Sequence, residues 1–182
     1  MDDDYYRLLV NKAEKDKCDV VLSNYVRKDS SHEFIAGLSF DTNDATYEGK
    51  EFYDMFFEQT GRDIRNHMLC SKLVSMDVWK SVLKVVANLK EKVVMTEDFA
   101  FTSVALYYAK RVGFCDNAIY YYIVNDNQST SRKNITVEKI NKNIHDIRTV
   151  FDFVKKFLQD QKVYSKYKDK LEIWRAFYLS MH

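Results

Sequence analysis

The stretch of residues 92–110 constrains the fold more than any other part of the chain. It begins with a short apolar run, followed by Thr96 and the adjacent carboxylates Glu97 and Asp98. Apolar side chains then recur at helical spacing, at Phe101, Val104, Ala105 and Tyr108. This pattern predicts a strand or extended arm that turns into an amphipathic helix.

Thr96, Glu97 and Asp98 have a purely structural explanation. The Thr96 hydroxyl can accept a backbone N–H of the first helical turn, and acidic residues are favoured at the positive end of the helix dipole. Helices commonly begin in this way, so only the surroundings can distinguish a helix cap from a functional site.

The first 26 residues indicate an α/β fold. Residues 2–16 have an apolar face at helical spacing, and the valine-rich residues 18–26 predict a largely buried strand. A helix followed directly by such a strand is half of an alternating α/β unit. A strand would ordinarily precede that helix, so we expect the chain to be a piece of a longer protein.

The next segments continue the pattern. Residues 32–40 predict a second strand, 41–46 a polar turn, and 47–59 a short amphipathic helix ended by Gly61. His32 is expected at a solvated strand edge.

Residues 67–83 predict an extended apolar segment and then a helix. Ser75 or Asp77 can cap that helix, which is expected to run through Lys84. Lys72 lies in the extended part, where it either extends its amine out of a buried strand or has a functional role.

The segment after the central helix predicts a broken strand. Gly113 is expected to stop the helix, with a brief strand at Phe114 and Cys115 and a turn at Asp116. Residues 118–124 predict an aromatic strand, and 125–132 a polar loop whose composition is typical of a solvated turn.

Composition indicates one soluble domain with a real core, because 46% of the 182 residues are hydrophobic. No apolar run approaches the length of a membrane span, and the acidic N-terminus is unlike a signal peptide. The three cysteines are widely spaced among apolar neighbours, which is typical of reduced thiols in cytoplasm.

Charge is distributed unevenly. Residues 139–182 carry 10 Lys or Arg and 5 Asp or Glu, a balance of +5. The rest of the chain carries 18 Lys or Arg and 22 Asp or Glu, a balance of −4. Nucleic acid usually requires a stronger and more clustered basic excess, so no nucleic-acid partner is expected. Contact with an anionic membrane surface remains open.

The tail, residues 133–182, predicts two helices with narrow apolar seams joined near 160–164. One seam contains Ile147 and Val154, and the other contains Leu171 and Trp174. The helices are expected to pair as an antiparallel hairpin packed on the domain. The alternatives are a partner-helix or homodimer surface, and a membrane-surface role.

Several motifs together resemble bacterial family 2 glycosyltransferases. They are a Ser-Lys-Leu step containing Lys72, the pair Glu97 and Asp98 at a helix start, and a Tyr-Tyr-Tyr strand followed by an Asn-and-Ser loop. The resemblance spans about residues 4–132 and covers the C-terminal half of the family's domain. It departs from the family at Cys70-Ser71, where Trp-Asn is usual, and at Thr96, where Gly is usual.

The resemblance implies a partial GT-A-like mixed sheet with flanking helices (residues 1–132), followed by the helical hairpin. It implies inverting sugar transfer from a nucleotide-sugar to a glycan or lipid-linked acceptor in bacterial surface-polysaccharide synthesis. Asp98 would be the general base with Glu97 beside it. Lys72, Asn125 and Ser129 would line the acceptor or diphosphate side.

The same resemblance assigns nucleotide and divalent cation (Mn or Mg) to an N-terminal half that this chain lacks. No cofactor is therefore expected on residues 1–182, which are expected to be inactive alone. The expected location is the cytoplasm or the inner face of the membrane. The alternative is a non-catalytic α/β interaction module in which Asp98 only caps a helix. An open Asp98 beside Lys72 would favour the enzyme.

Overall fold

The computed structural model describes residues 4–38, 42–58, 64, 66–124 and 136–181. Within these ranges it contains five strands and six helices. In chain order they are α1 (Tyr5–Asp16), β1 (Val20–Lys28), β2 (Phe34–Leu38), β3 (Thr46–Glu48), α2 (Gly49–Glu58), β4 (Lys72–Val74), α3 (Met76–Val86), α4 (Glu97–Tyr108), β5 (Arg111–Ile123), α5 (Val137–Asp160) and α6 (Tyr164–Ser180). The predicted α/β class is confirmed.

The strands form one mixed sheet in the order β2-β1-β5-β3, and β4 also pairs with β1. Strands β1 and β5 run parallel along their whole length, whereas the other three pairings are antiparallel. Strand β1 is therefore central, with β5 on one side and both β4 and β2 on the other.

Strand β5 corrects two predictions. Helix α4 ends at Tyr108, and Gly113 lies inside β5 instead of stopping the helix. The chain leaves the helix early because the Asp19 carboxylate accepts the backbone N–H groups of Lys110 and Arg111, at 2.8 and 3.1 Å. The predicted turn at Asp116 is a bulge in one continuous strand, since the register with β1 shifts there.

The two faces of the sheet have separate cores. Val21 of β1 packs with Tyr5 and Leu9 of α1 on one face. The neighbouring residues Val20 and Leu22 point to the opposite face, into the larger core formed with the other helices.

Helices α5 and α6 form the predicted pair, and the connection at 161–163 agrees with the predicted position. Helix α5 packs on α4, and α6 packs on α5 and α2. The seam residues Ile147, Val154, Leu171 and Trp174 are all fully buried within the larger core. The tail thus shares its core with the sheet and with α4.

Other elements agree with their predictions within a few residues. Helix α3 begins after Ser75, whose hydroxyl accepts the Val78 N–H at 3.4 Å. Strand β3 was not predicted, because its three residues lie where the helical pattern of 47–59 begins. Gly61 lies outside the described residues.

Candidate functional site

The candidate site lies at the N-terminus of α4, where Glu97 and Asp98 form the first turn. The helix begins after Thr96 as predicted, but the predicted cap is wrong. The Thr96 hydroxyl makes no bond to the first turn and instead donates to the Met95 carbonyl at 2.5 Å. The reason is the backbone of Thr96, which has φ 64° in the left-handed region and so turns the side chain away.

Asp98 is half-buried and is held by a different part of the chain. Its carboxylate accepts the backbone N–H of Leu69, and Lys72 lies close enough to attract its charge. Burial raises the pKa of Asp98, and the Leu69 bond and the Lys72 charge only partly offset that increase.

Lys72 is the first residue of β4, opposite Leu22 of β1. Its amine donates to the Met68 carbonyl, so it turns back toward the segment that contacts Asp98. Burial lowers the pKa of Lys72 to about 8, and the neighbouring Cys70 and Asp98 oppose that change. Lys72 is thus a cation beside Asp98 rather than a lysine extended into solvent.

Glu97 is also half-buried, and its pKa is raised by burial and, to a smaller extent, by repulsion from Asp98 and Asp146. The site therefore contains two carboxyl groups with raised pKa values, and only Asp98 is held by the 66–72 segment. This difference distinguishes Asp98 from Glu97 within the site.

Asp146 of α5 holds the backbone that leads into α4. It is 2% exposed. Its carboxylate accepts the N–H groups of Val94 and Met95 at 2.9 and 3.2 Å and the Lys142 amine at 2.6 Å. Burial alone would raise the pKa of Asp146, but these three donors outweigh it and lower that pKa.

His67 anchors the other segment of the site. Its Nδ1 atom is hydrogen-bonded to the Tyr178 hydroxyl of α6 at 2.9 Å, and its carbonyl accepts the Thr102 hydroxyl of α4 at 2.9 Å. The ring lies among Phe56, Phe99 and Trp174. Burial lowers the pKa of His67 to about 3, so the imidazole is neutral at physiological pH.

Ser71 ties the same segment to the sheet. Its carbonyl accepts both the backbone N–H of Ser23 at 2.9 Å and the Ser23 hydroxyl at 3.2 Å. The segment 66–72 is therefore fixed by α6, α4 and β1, and it presents the Leu69 N–H to Asp98.

The structure brings together three of the five residues singled out from the sequence, namely Asp98, Glu97 and Lys72. Asn125 and Ser129 lie outside the described residues. Within the described ranges, no group of three or more His, Cys, Asp or Glu side chains could hold a metal ion.

Sequence reasoning missed His67, Asp146 and Tyr178, the residues that support the site. Asp146 carried a weak signal, because it is an acidic residue directly before Ile147 of the apolar seam. His67 and Tyr178 were indistinguishable from ordinary core positions, since their contact joins residues 111 apart.

Comparisons with known proteins add no identification: no protein-family model matches the chain, and no curated protein matches it significantly. Across the part of the chain that the structure describes, no helix is both long and apolar enough to cross a lipid bilayer.

Proposed function

We propose that this chain is the acceptor-side part of an inverting, nucleotide-sugar-dependent glycosyltransferase of bacterial cell-surface polysaccharide or lipopolysaccharide synthesis. The observation that carries this proposal is the contact of Asp98 with the segment containing Lys72. These residues are 26 positions apart in the sequence. The resemblance to family 2 glycosyltransferases relates both to one site, and they are neighbours in this fold.

The backbone at Thr96 supports the same proposal. Its φ of 64° lies in the region that glycine adopts without strain, and the resembled family usually has Gly at this position. A β-branched residue there is rare and costs conformational energy. The departure from the family's sequence therefore preserves the backbone shape that its glycine would allow.

The proposed chemistry is one proton transfer coupled to one substitution. An Asp98 carboxylate oxygen takes the proton of the acceptor hydroxyl as that oxygen attacks the anomeric carbon of the donor sugar. The bond from the anomeric carbon to the nucleoside diphosphate breaks, and the diphosphate leaves with the electron pair. Attack from the face opposite the leaving group inverts the anomeric centre.

The raised pKa of Asp98 suits this role. A carboxyl group whose pKa is raised towards the working pH is a stronger base, provided that it remains ionised when substrate arrives. The ammonium of Lys72 favours that ionised form. Asp98 and Lys72 thus form a pair in which burial strengthens the base and the lysine keeps it charged.

The cation and the nucleotide belong, on this proposal, to residues outside the described site. Asp98 and Glu97 are only two carboxylates, and the described residues around them provide no third ligand of the kind that Mn or Mg would need. The steps proposed here accordingly involve only the acceptor hydroxyl, the donor's anomeric centre and side chains of this chain.

A location in the cytoplasm, peripheral on the inner face of the membrane, completes the proposal, because lipid-linked acceptors are found there. The basic tail supports it in part. Lys156 and Lys166 pair with Asp160 and Asp54, which reduces the charge available for anionic lipid. Membrane contact is therefore expected to be weak and salt-dependent.

The test is a screen of the polypeptide that the gene encodes against nucleotide-sugars, with bacterial cell-envelope glycolipids as acceptors and Mn or Mg present. We expect acceptor-dependent release of nucleoside diphosphate, and a product whose anomeric configuration is opposite to the donor's. Retention of configuration, or the absence of release with every donor and acceptor, would contradict the proposal.

A further inference from the structure

We propose that the two C-terminal helices are positioning elements for Asp98, acting through Tyr178 on α6 and Asp146 on α5. This inference deepens the proposed function and rests on it only for its consequence in catalysis. The structural part concerns Asp98 alone and can be tested without any substrate.

The first connection runs from Tyr178 to Asp98 through His67. The Tyr178 hydroxyl is bonded to His67 Nδ1, and two residues further along the chain Leu69 donates its N–H to Asp98. The other ring nitrogen of His67, Nε2, is buried without a hydrogen-bond partner among the described residues. Tyr178 is thus the only described hydrogen-bond partner that fixes the orientation of this imidazole.

The second connection runs from Asp146 to α4. Asp146 accepts the N–H groups of Val94 and Met95, which come four and three residues before Asp98. It therefore determines where the chain enters the left-handed turn at Thr96 and where the first turn of α4 begins. The two connections hold Asp98 and its hydrogen-bond donor independently, one from each helix.

The energetic reason for this arrangement is the partial burial of the two carboxyl groups of the site. Glu97 and Asp98 are half-buried carboxyl groups whose pKa values are raised by burial, so the fold loses stability by keeping them ionised. Local opening of segment 66–72 would relieve that cost by admitting water. Buried bonds from α5 and α6 oppose the opening and keep the Leu69 N–H on Asp98.

The experiment compares Tyr178→Phe with Tyr53→Phe in the otherwise unchanged chain. Both substitutions remove one hydroxyl from a buried tyrosine, but the Tyr53 hydroxyl has no hydrogen-bond partner among the described residues. Any general loosening of the core should therefore appear in both variants, whereas the effect on Asp98 should appear only in Tyr178→Phe.

Two readouts are recorded by NMR without substrate. The Leu69 amide should exchange with solvent about 5- to 10-fold faster in Tyr178→Phe, as expected for the loss of one buried hydrogen bond. The chemical shift of the Asp98 carboxyl carbon reports the titration of that carboxyl group. Its midpoint should move to higher pH, because the hydrogen bond from the Leu69 N–H, which favours the charged carboxylate, is weakened. The titratable groups that interact electrostatically with Asp98 are Glu97, Cys70, Lys72, Tyr122 and Tyr178, and only Tyr178 is changed.

Asp146→Asn tests the second connection, with Asp54→Asn as its control. Asp54 also joins two elements, since it accepts the Tyr167 hydroxyl of α6 at 2.5 Å, but it does so away from Asp98. Amide exchange at Val94 and Met95 should accelerate in Asp146→Asn and remain unchanged in Asp54→Asn. Where sugar transfer is measurable, kcat should fall about 10- to 100-fold in Tyr178→Phe and in Asp146→Asn with little change in KM.

The outcomes separate the two proposals. If Leu69 exchange and the Asp98 midpoint are the same in Tyr178→Phe as in the parent, or change equally in Tyr53→Phe, the positioning role is wrong. A downward movement of the midpoint would also contradict it. If these readouts behave as expected but the polypeptide that the gene encodes transfers no sugar with any donor and acceptor, the proposed function fails and the positioning role stands.

Discussion

Replacing Asp146 with alanine should destabilise this fold more than most single substitutions. The variant leaves the Met95 N–H, which is buried, and the Val94 N–H, which is part-buried, without their acceptor. A hydrogen bond to a charged group contributes about 1.5–3 kcal/mol, so the two bonds together contribute roughly 3–6 kcal/mol. The Lys142 amine is half-exposed and adds less than about 1 kcal/mol.

Urea unfolding measures this loss directly. We expect the midpoint to fall without a change in the denaturant slope, and the melting temperature to fall by about 6–24 °C for a chain of this length. Lys142→Ala is the matched control and should cost less than about 1 kcal/mol. A loss below about 1 kcal/mol in Asp146→Ala would show that the two N–H groups find water instead, which would refute the reasoning.

The same variant has a predictable dependence on pH. The folded-state pKa of Asp146 is lower than its ordinary value of 3.8, so its ionised form stabilises the fold above about pH 4. That contribution is lost as pH falls through the lowered pKa. The difference in stability between the parent and Asp146→Ala should therefore narrow below pH 4.

Substitutions at three further positions test separate features. Thr96→Gly should stabilise the fold by about 1 kcal/mol in thermal melting, because glycine adopts the left-handed backbone without strain. Thr96→Ala should cost little stability, because no cap hydrogen bond is lost. A clear loss of stability in either variant would contradict the observed backbone. Between about pH 8 and 10.5 the parent should become more stable as pH rises, because Lys72 keeps its proton only in the unfolded chain. This rise should disappear in Lys72→Met. An unchanged rise would rule out the lowered pKa of Lys72. Gly49→Ala should lower the free energy of unfolding in urea by several kcal/mol, because the alanine Cβ would lie 1.8 Å from the Ala109 carbonyl oxygen. Near-parental stability would show that β3 and α2 can shift freely.

Apolar periodicity predicted most of the helices because their buried faces are local patterns. Helices α1, α3, α5 and α6 begin within a few residues of their predicted positions. Strand β5 was predicted as two pieces because Asp116 and Asn117 favour turns. Pairing with β1 on both sides of these residues keeps the strand continuous and confines them to a bulge.

The Thr96 cap was predicted wrongly for a comparable reason. A threonine before two acids favours a capping hydroxyl locally, but Asp146 accepts the N–H groups of the two preceding residues and Thr96 lies in the left-handed region. Contacts between residues about 50 positions apart outweigh a local preference here, and no pattern near Thr96 indicates them.

The candidate site was predictable only in part. The resemblance related Asp98 to Lys72, whereas periodicity and spacing gave no reason to bring them together. The residues that hold the site, His67, Asp146 and Tyr178, occupy helical or apolar patterns as ordinary core residues do. Their polar atoms meet only after the chain has folded, so the sequence alone could not identify them.

The most direct test of the account is the turnover of Asp98→Asn in the polypeptide that the gene encodes. Asparagine keeps the shape of the side chain and an oxygen for the Leu69 N–H, but it cannot take the acceptor proton. Asp77→Asn, at an exposed carboxylate in the first turn of α3, is the control. We predict that Asp98→Asn melts at or above the parent temperature, because a buried ionisable carboxyl group is removed, while sugar transfer falls about 10²-fold or more. Transfer near the parent rate in Asp98→Asn would contradict the account.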